Sequence, residues 1–227
     1  MLQAVVFDFD GVIADSEPLH FRAFRDILAE EGVELTEAEY YRRYLGLSDA
    51  AAFRGIGVKQ RNRWDDRNVA ALIRRKAARF ERLERDASLI FPTADALVRA
   101  AAAVVPIAVA SGARRAEVLR ILDRADLTRC FIAVVAAEDV AASKPAPDPY
   151  LRALERLSAS AGKPIAPRRS VAIEDSRRGL ESARAAGMKT VGVTHPYAKG
   201  TLVGQADLVV SSLTTLNVTD LQRLVSD

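Results

Sequence analysis

Two aspartates stand two residues apart, Asp8 and Asp10, in Phe7-Asp8-Phe9-Asp10-Gly11, directly after the apolar run Ala4-Val5-Val6-Phe7. Other polar groups follow apolar runs in the same manner: Ser111-Gly112 after Ile107-Ala108-Val109-Ala110, Lys144-Pro145 beyond residues 131–135, and Glu174-Asp175 after Val171-Ala172-Ile173. Carboxylates gathered in one place repel each other unless a cation sits among them. Hard oxygen ligands suit Mg²⁺, which keeps some waters and shares phosphate oxygens, so magnesium is the implied cofactor. A carboxylate such as Asp8 can attack phosphorus and become an aspartyl-phosphate. A second carboxylate two residues on, Asp10, points elsewhere around a tight loop, where it can protonate a leaving alcohol and then activate water. Charge on transferring phosphoryl oxygens needs donors fixed in advance, which Lys144, Ser111 and neighbouring N–H groups such as that of Gly112 supply. Singly, each feature has a plainer reading as a polar turn or a helix N-cap. Their coincidence in this order points to chemistry.

For these residues to meet, the apolar runs must be strands of one sheet. Runs at 4–7, 107–110, 131–135, 171–173, 190–193 and 208–210 read as buried parallel strands. Helical patterns at 113–123, 149–159, 176–186 and 213–225 alternate with them, as in an open α/β sheet whose carboxyl-end rim gathers ligands. Between residues 17 and 88 no strand-like run occurs, and helical patterns fall at 18–31, 37–44, 50–55 and 65–84. Residues 1–15 and 90–227 are therefore expected to form one catalytic domain, with 16–89 an inserted helical cap and 86–92 returning the chain.

A chain of 227 residues, 49% apolar and 28% charged, is ordinary globular material. Its 33 basic residues are offset by 30 acidic ones. In the densest basic stretch, 61–85, Asp65, Asp66, Glu81 and Glu84 interrupt the arginines, so a solvated helix face is expected rather than a nucleic-acid surface. The single cysteine, Cys130, excludes an intramolecular disulfide; it begins an apolar run and reads as a buried, inert thiol suited to a reducing cytoplasm. No apolar run approaches the ~20 residues that cross a bilayer. The expectation is a cytoplasmic monomer or weak dimer, off the membrane, acting on a small phosphorylated metabolite.

Asp8-Phe9-Asp10-Gly11-Val12-Ile13, Ala110-Ser111-Gly112, Ser143-Lys144-Pro145-Ala146-Pro147-Asp148 and Ile173-Glu174-Asp175-Ser176 resemble, in order, the four motifs of the haloacid-dehalogenase-like hydrolase superfamily. The inserted cap is similar to that of the branch holding β-phosphoglucomutase, phosphoglycolate phosphatase and sugar-phosphate phosphatases. The resemblance implies an α/β fold, a Rossmann-like parallel sheet core with an inserted α-helical cap. It also implies roles: Asp8 as nucleophile and metal ligand, Asp10 as acid/base and metal ligand through its carbonyl, Ser111, Gly112 and Lys144 on the phosphate. Asp175 becomes a metal ligand, with Glu174 a direct or water-mediated one.

Two cap residues stand out. Lys76 interrupts the apolar stripe Val69, Leu72, Ile73, Phe80, Leu83 and must snorkel or meet an anion. His20 lies among Ala23, Phe24 and Ile27 on the apolar side of the first cap helix. Each has a structural reading, as a snorkelling lysine and a satisfied core histidine; by resemblance both are candidate substrate residues. His195, in Thr194-His195-Pro196-Tyr197, matches no motif.

Asp10 with Glu174-Asp175 argues against metal-free dehalogenation and against phosphonate hydrolysis. Between phosphatase and mutase, Gly46-Leu47-Ser48-Asp49 decides: an aspartate stands where the resembled mutases carry an arginine for the substrate's distal phosphate, and a carboxylate facing that phosphate would repel it. The expected activity is a Mg²⁺-dependent phosphatase on a small phosphate monoester such as a sugar phosphate, through an aspartyl-phosphate. A β-phosphoglucomutase-type mutase, with Arg43 or Arg54 replacing the missing arginine, is the alternative. A catalytically idle ligand-sensing protein on this scaffold is a third reading, and it is disfavoured because no motif residue is lost.

Overall fold

The helices of residues 16–89 form because polar caps and apolar spacing agree. In α1 (Glu17–Glu30) a proline occupies the first turn and Gly32, at φ +70°, follows the end. Further along come α2 (Glu37–Arg43), capped by the Thr36 hydroxyl, and α3 (Asp49–Lys59). The long α4 (Asp66–Glu84) starts on a reciprocal cap: Asp65 accepts from the Asn68 N–H (2.7 Å) and Asn68 from the Asp65 N–H (3.3 Å). Leu28, Tyr40, Phe53 and Leu72 are buried in one apolar cluster, and Arg75 and Arg79 of α4 pair with Asp26 and Glu30 of α1 and with Glu31 just past its end. The structure is a computed structural model that describes residues 1–59, 64–85, 88–194 and 202–226. These divide into two compact units, Ser16–Leu89 and Met1–Asp15 with Ile90–Asp227. His195, and residues 86 and 87 of the returning segment, lie outside the described residues.

The second unit is a parallel six-stranded sheet. Its strands are β1 (Ala4–Phe7), β2 (Ile107–Ala110), β3 (Ala133–Val135), β4 (Ser170–Glu174), β5 (Lys189–Val193) and β6 (Leu208–Val210), ordered β3-β2-β1-β4-β5-β6. Every residue of β1 is buried, since β2 and β4 flank it and both faces are covered. Complete burial of Phe7 alone stabilises the fold by about 2–3 kcal/mol. The order runs outward from β1 in both directions, so the switch point, the place where open α/β sheets gather ligands, lies between β1 and β4.

Crossovers are made by α5 (Pro92–Ala102), α6 (Arg115–Arg124), α7 (Asp148–Ala161) and α8 (Arg177–Ala185), and α9 (Val218–Leu224) closes the chain. Small strand residues Ala4, Ala108, Ala110 and Ala172 let α7 seat Tyr150, Ala153, Leu154 and Leu157 closely. Helix α5 is not foreseen from sequence: in its alanine-rich stretch only Ala94, Leu97, Val98 and Ala101 mark the buried face. The helix expected over 213–225 is broken, because Asn217 and Asp220 cap each other and start α9 afresh after a short 3₁₀ turn. The third strand is shorter than 131–135, as Thr128–Cys130 closes a 3₁₀ turn, and Cys130 is half-buried rather than buried in the strand. Among the described residues no helix is long and apolar enough to cross a membrane.

Candidate active site

Asp8 continues the β1–β4 pairing by one residue, its N–H donating to the Ile173 carbonyl at 2.9 Å. The chain then turns tightly around the Phe9 carbonyl, which accepts from the N–H groups of Ile13 (2.8 Å) and Ala14 (3.0 Å), and Phe9, Val12 and Ile13 anchor the turn by burial. Gly11, at φ +78°, is required twice over: a Cβ there would also lie 2.0 Å from Asp175 Oδ2. The loop after β1 thus meets the loop after β4 at the switch point.

Lys144 joins them. Its Nζ is 2.8 Å from Asp8 Oδ1 and 2.6 Å from Glu174 Oε1, with its side chain only 11% exposed. Asp8 Oδ1 also accepts from the Phe9 N–H at 2.7 Å, whereas Oδ2 accepts no hydrogen bond among the described residues. Glu174 is saturated: Oε1 accepts from Lys144 and from the Tyr150 hydroxyl (2.7 Å), and Oε2 from the N–H groups of Asp175 and Ser176 and the Ser176 hydroxyl. Asp8, Glu174 and Asp175 each bring a carboxylate oxygen within 4.8 Å of the others.

One ammonium does not balance this charge. Burial first, and then the Glu174 charge, push the Asp8 carboxyl up to about 8 against the pull of Lys144. Burial works against the Lys144 ammonium, yet Asp8 and Glu174 outweigh it and raise its pKa. Burial and the Glu174 charge hold the Tyr150 phenol well above its usual range, so it stays a donor. A carboxyl held so far above the usual carboxylate range beside a single ammonium marks a site short of positive charge. The residues present therefore fit a hard divalent cation, held by Asp8 and Asp175 more readily than by the saturated Glu174.

Ser111 extends β2, its N–H donating to the Val135 carbonyl (2.9 Å). Its hydroxyl accepts from the Ala113 N–H (2.9 Å) and donates to Asp10 Oδ2 (3.4 Å). Gly112 is exposed, with open space where a side chain would be, and its N–H has no acceptor among the described residues. Asp8, Asp10, Ser111, Gly112, Lys144, Glu174 and Asp175 thus all stand at the carboxyl ends of β1–β4 and their loops.

Sequence reasoning passed over Tyr150 and Gly179, and named Ser176 only as the last residue of its motif, without a role. Tyr150 falls on the apolar stripe of α7, and its only clue is that a buried phenol needs a partner. A Cβ on Gly179 would lie 1.8–2.1 Å from the Glu174 carboxylate atoms. Gly179→Ala therefore expels Glu174 from its donors; kcat/KM is expected to fall about 10²-fold or more, which steady-state assay of protein with a native circular-dichroism spectrum checks.

In the helical unit, Lys76 meets its anion inside that unit: Nζ is 2.9 Å from Asp49 Oδ1 and 2.7 Å from His20 Nδ1. The Phe24 and Phe80 rings flank the ammonium at 4.9 and 5.5 Å, and His20 stacks on Phe80. An ammonium donating to Nδ1 fixes the His20 proton on Nε2. Of the two arginines considered for a distal phosphate, Arg54 is paired with Asp66 at 2.8 Å and Arg43 is exposed.

Carboxylates bridged by one lysine thus stand at the switch point of an open parallel sheet. The chain belongs to the haloacid dehalogenase-like hydrolase family, whose model matches residues 5–193. It is 32% identical to Protein CbbY of Rhodobacter capsulatus, covering 93% of this chain and 94% of that one. Hexitol phosphatase B of Escherichia coli is also 32% identical, with 96% of each chain covered. A crystal structure of a CbbY variant from Rhodobacter sphaeroides in complex with xylulose-(1,5)bisphosphate is similar in fold, with a TM-score of 0.86 and 27% identity over 97% of this chain and 99% of that one.

Proposed function

We propose that this chain is a magnesium-dependent phosphatase of small sugar phosphates that works through a phosphorylated Asp8. The observation that carries this reading is the Lys144 ammonium, shared between Asp8 and Glu174 while Asp8 Oδ2 accepts no hydrogen bond among the described residues. Similarity to hexitol phosphatase B and CbbY supports the sugar-phosphate class.

In the first step Asp8 Oδ2 attacks phosphorus, the Asp8–phosphorus bond forms and the bond to the sugar oxygen breaks. Asp10 gives its proton to that oxygen. Lys144, the Ser111 hydroxyl and the Gly112 N–H hold the equatorial oxygens throughout. In the second step Asp10 takes a proton from water, which attacks phosphorus and releases Asp8. Mg²⁺, held by Asp8, Asp175 and the Asp10 carbonyl with Glu174 as an outer or direct partner, would neutralise the carboxylates and phosphate oxygens. His20 and Lys76 are the proposed substrate-selecting residues of the helical unit. Because Asp49 neutralises Lys76, the pair neither repels nor grips a second phosphate; the absent gripping arginine, rather than repulsion, favours phosphatase over mutase. A phosphorylated metabolite as substrate fits a cytoplasmic site of action.

A panel of sugar and polyol phosphates, scored for free phosphate and for isomerised product, tests this. Phosphate without isomer is expected; isomer formed only with a bisphosphate activator would establish the mutase instead. Chelation with EDTA is expected to lower the rate about 10²-fold or more, with recovery on adding Mg²⁺ but not Na⁺.

A further inference from the structure

Helix α8 grips the Lys144 loop from two positions one turn apart. Arg178 Nη2 donates to the Lys144 carbonyl at 2.7 Å, and the fully buried Ser182 hydroxyl donates to the Ala146 carbonyl at 2.5 Å. Residues four apart share a helix face, so both bonds fall on one side of α8. Within the loop, the Ala146 N–H donates to the Ser143 carbonyl (3.1 Å). The N-terminal turn of α8 acts on the other end of the same lysine: the Ser176 hydroxyl, which caps the helix, donates to Glu174 Oε2 (3.0 Å), and Glu174 Oε1 receives the Lys144 ammonium (2.6 Å). One helix therefore fixes Lys144 at its backbone and, through Glu174, at its charge.

A lysine side chain has four rotatable bonds, so its ammonium is defined only when both ends are held. We propose that Arg178 and Ser182 are positioning residues that set the Lys144 ammonium opposite Asp8. This rests on the reading that Lys144 holds the transferring phosphoryl group. Arg178 is exposed, and removing it leaves no buried gap. Its effect should therefore appear in chemistry and not in folding. Displacing the ammonium weakens an interaction that matters most in the transition state, so kcat should fall while KM changes little.

The test is steady-state kinetics with p-nitrophenyl phosphate and Mg²⁺ on Arg178→Ala, Arg178→Lys, Ser182→Ala, Lys144→Met and the double variant Arg178→Ala/Lys144→Met, with Tm measured alongside. Arg178→Ala and Ser182→Ala are expected to lower kcat about 10-fold, with KM within about 2-fold and an unchanged Tm for Arg178→Ala. Arg178→Lys should recover most of the loss, since one ammonium can donate to the same carbonyl. In the Lys144→Met background Arg178→Ala should cost nothing further, because its effect passes through that lysine. The proposal is overturned if both single variants keep kcat within about 2-fold of the parent, or if the Arg178 loss adds fully onto Lys144→Met. Full activity in Lys144→Met itself would overturn instead the reading of Lys144 on which the proposal rests. Should Ser182→Ala fail to fold, the exposed Arg178 series decides alone.

Discussion

Asp8→Asn is expected to lower kcat/KM by at least about 10³-fold while leaving the fold intact. The amide is nearly isosteric, and its oxygen still accepts from the Phe9 N–H that Asp8 Oδ1 receives at 2.7 Å. What it lacks is the charge that makes Oδ2 a nucleophile. The same substitution should raise Tm in the metal-free enzyme. Burial and the Glu174 charge raise the folded-state pKa of Asp8 from 3.8 to about 8. With the folded value above the unfolded one, the folded state binds more protons, so stability is lost as pH rises through that window. Asparagine abolishes this loss. Melting curves in EDTA at acid and mildly alkaline pH should therefore diverge between parent and variant only at the alkaline end. Parallel curves at all pH values would show that Asp8 is not held in an anionic surplus.

Lys144→Met is expected to act on both rate and stability. The lysine contributes one charge to two buried carboxylates, at 2.8 and 2.6 Å. Without it the phosphoryl oxygens lose a preorganised cation, and kcat/KM should fall by about 10²–10⁴-fold. Asp8 and Glu174 then face each other with no compensating charge, a loss on the order of 3–5 kcal/mol. Protonation of Asp8 relieves the repulsion, so the deficit should shrink as pH is lowered. Urea titrations at two pH values measure it, and a deficit that does not change with pH would count against the carboxylate pair as its cause.

The gathering of polar groups at one rim was legible because Asp8, Ser111 and Glu174 each close a short apolar run of the kind that forms a strand covered on both faces, while Lys144 follows such a run at a distance. Asp8, Ser111, Lys144 and Glu174 therefore reach one rim by topology. Residues acting only through proximity were not legible. Gly179 reads as a helix residue until the Glu174 carboxylate is found where its side chain would be. Tyr150 reads as core because it is core, apart from one hydroxyl bonded to Glu174. Lys76 announced the need for an anion, yet periodicity could not say that Asp49, 27 residues earlier, supplies it. Helix α5 escaped notice because alanine contributes little contrast between faces, and the break before α9 depends on a local Asn217–Asp220 exchange that competes with an otherwise continuous helical pattern.

Covalent phosphorylation of Asp8 is tested most directly by rapid acid quench of a reacting sugar phosphate carrying labelled phosphorus, followed by peptide mapping. The predicted result is transient, hydroxylamine-labile label on the peptide containing Asp8, which borohydride converts to homoserine at that position. Label on any other residue during turnover would contradict it, and so would an Asp8→Asn enzyme that still turned over at the parent rate.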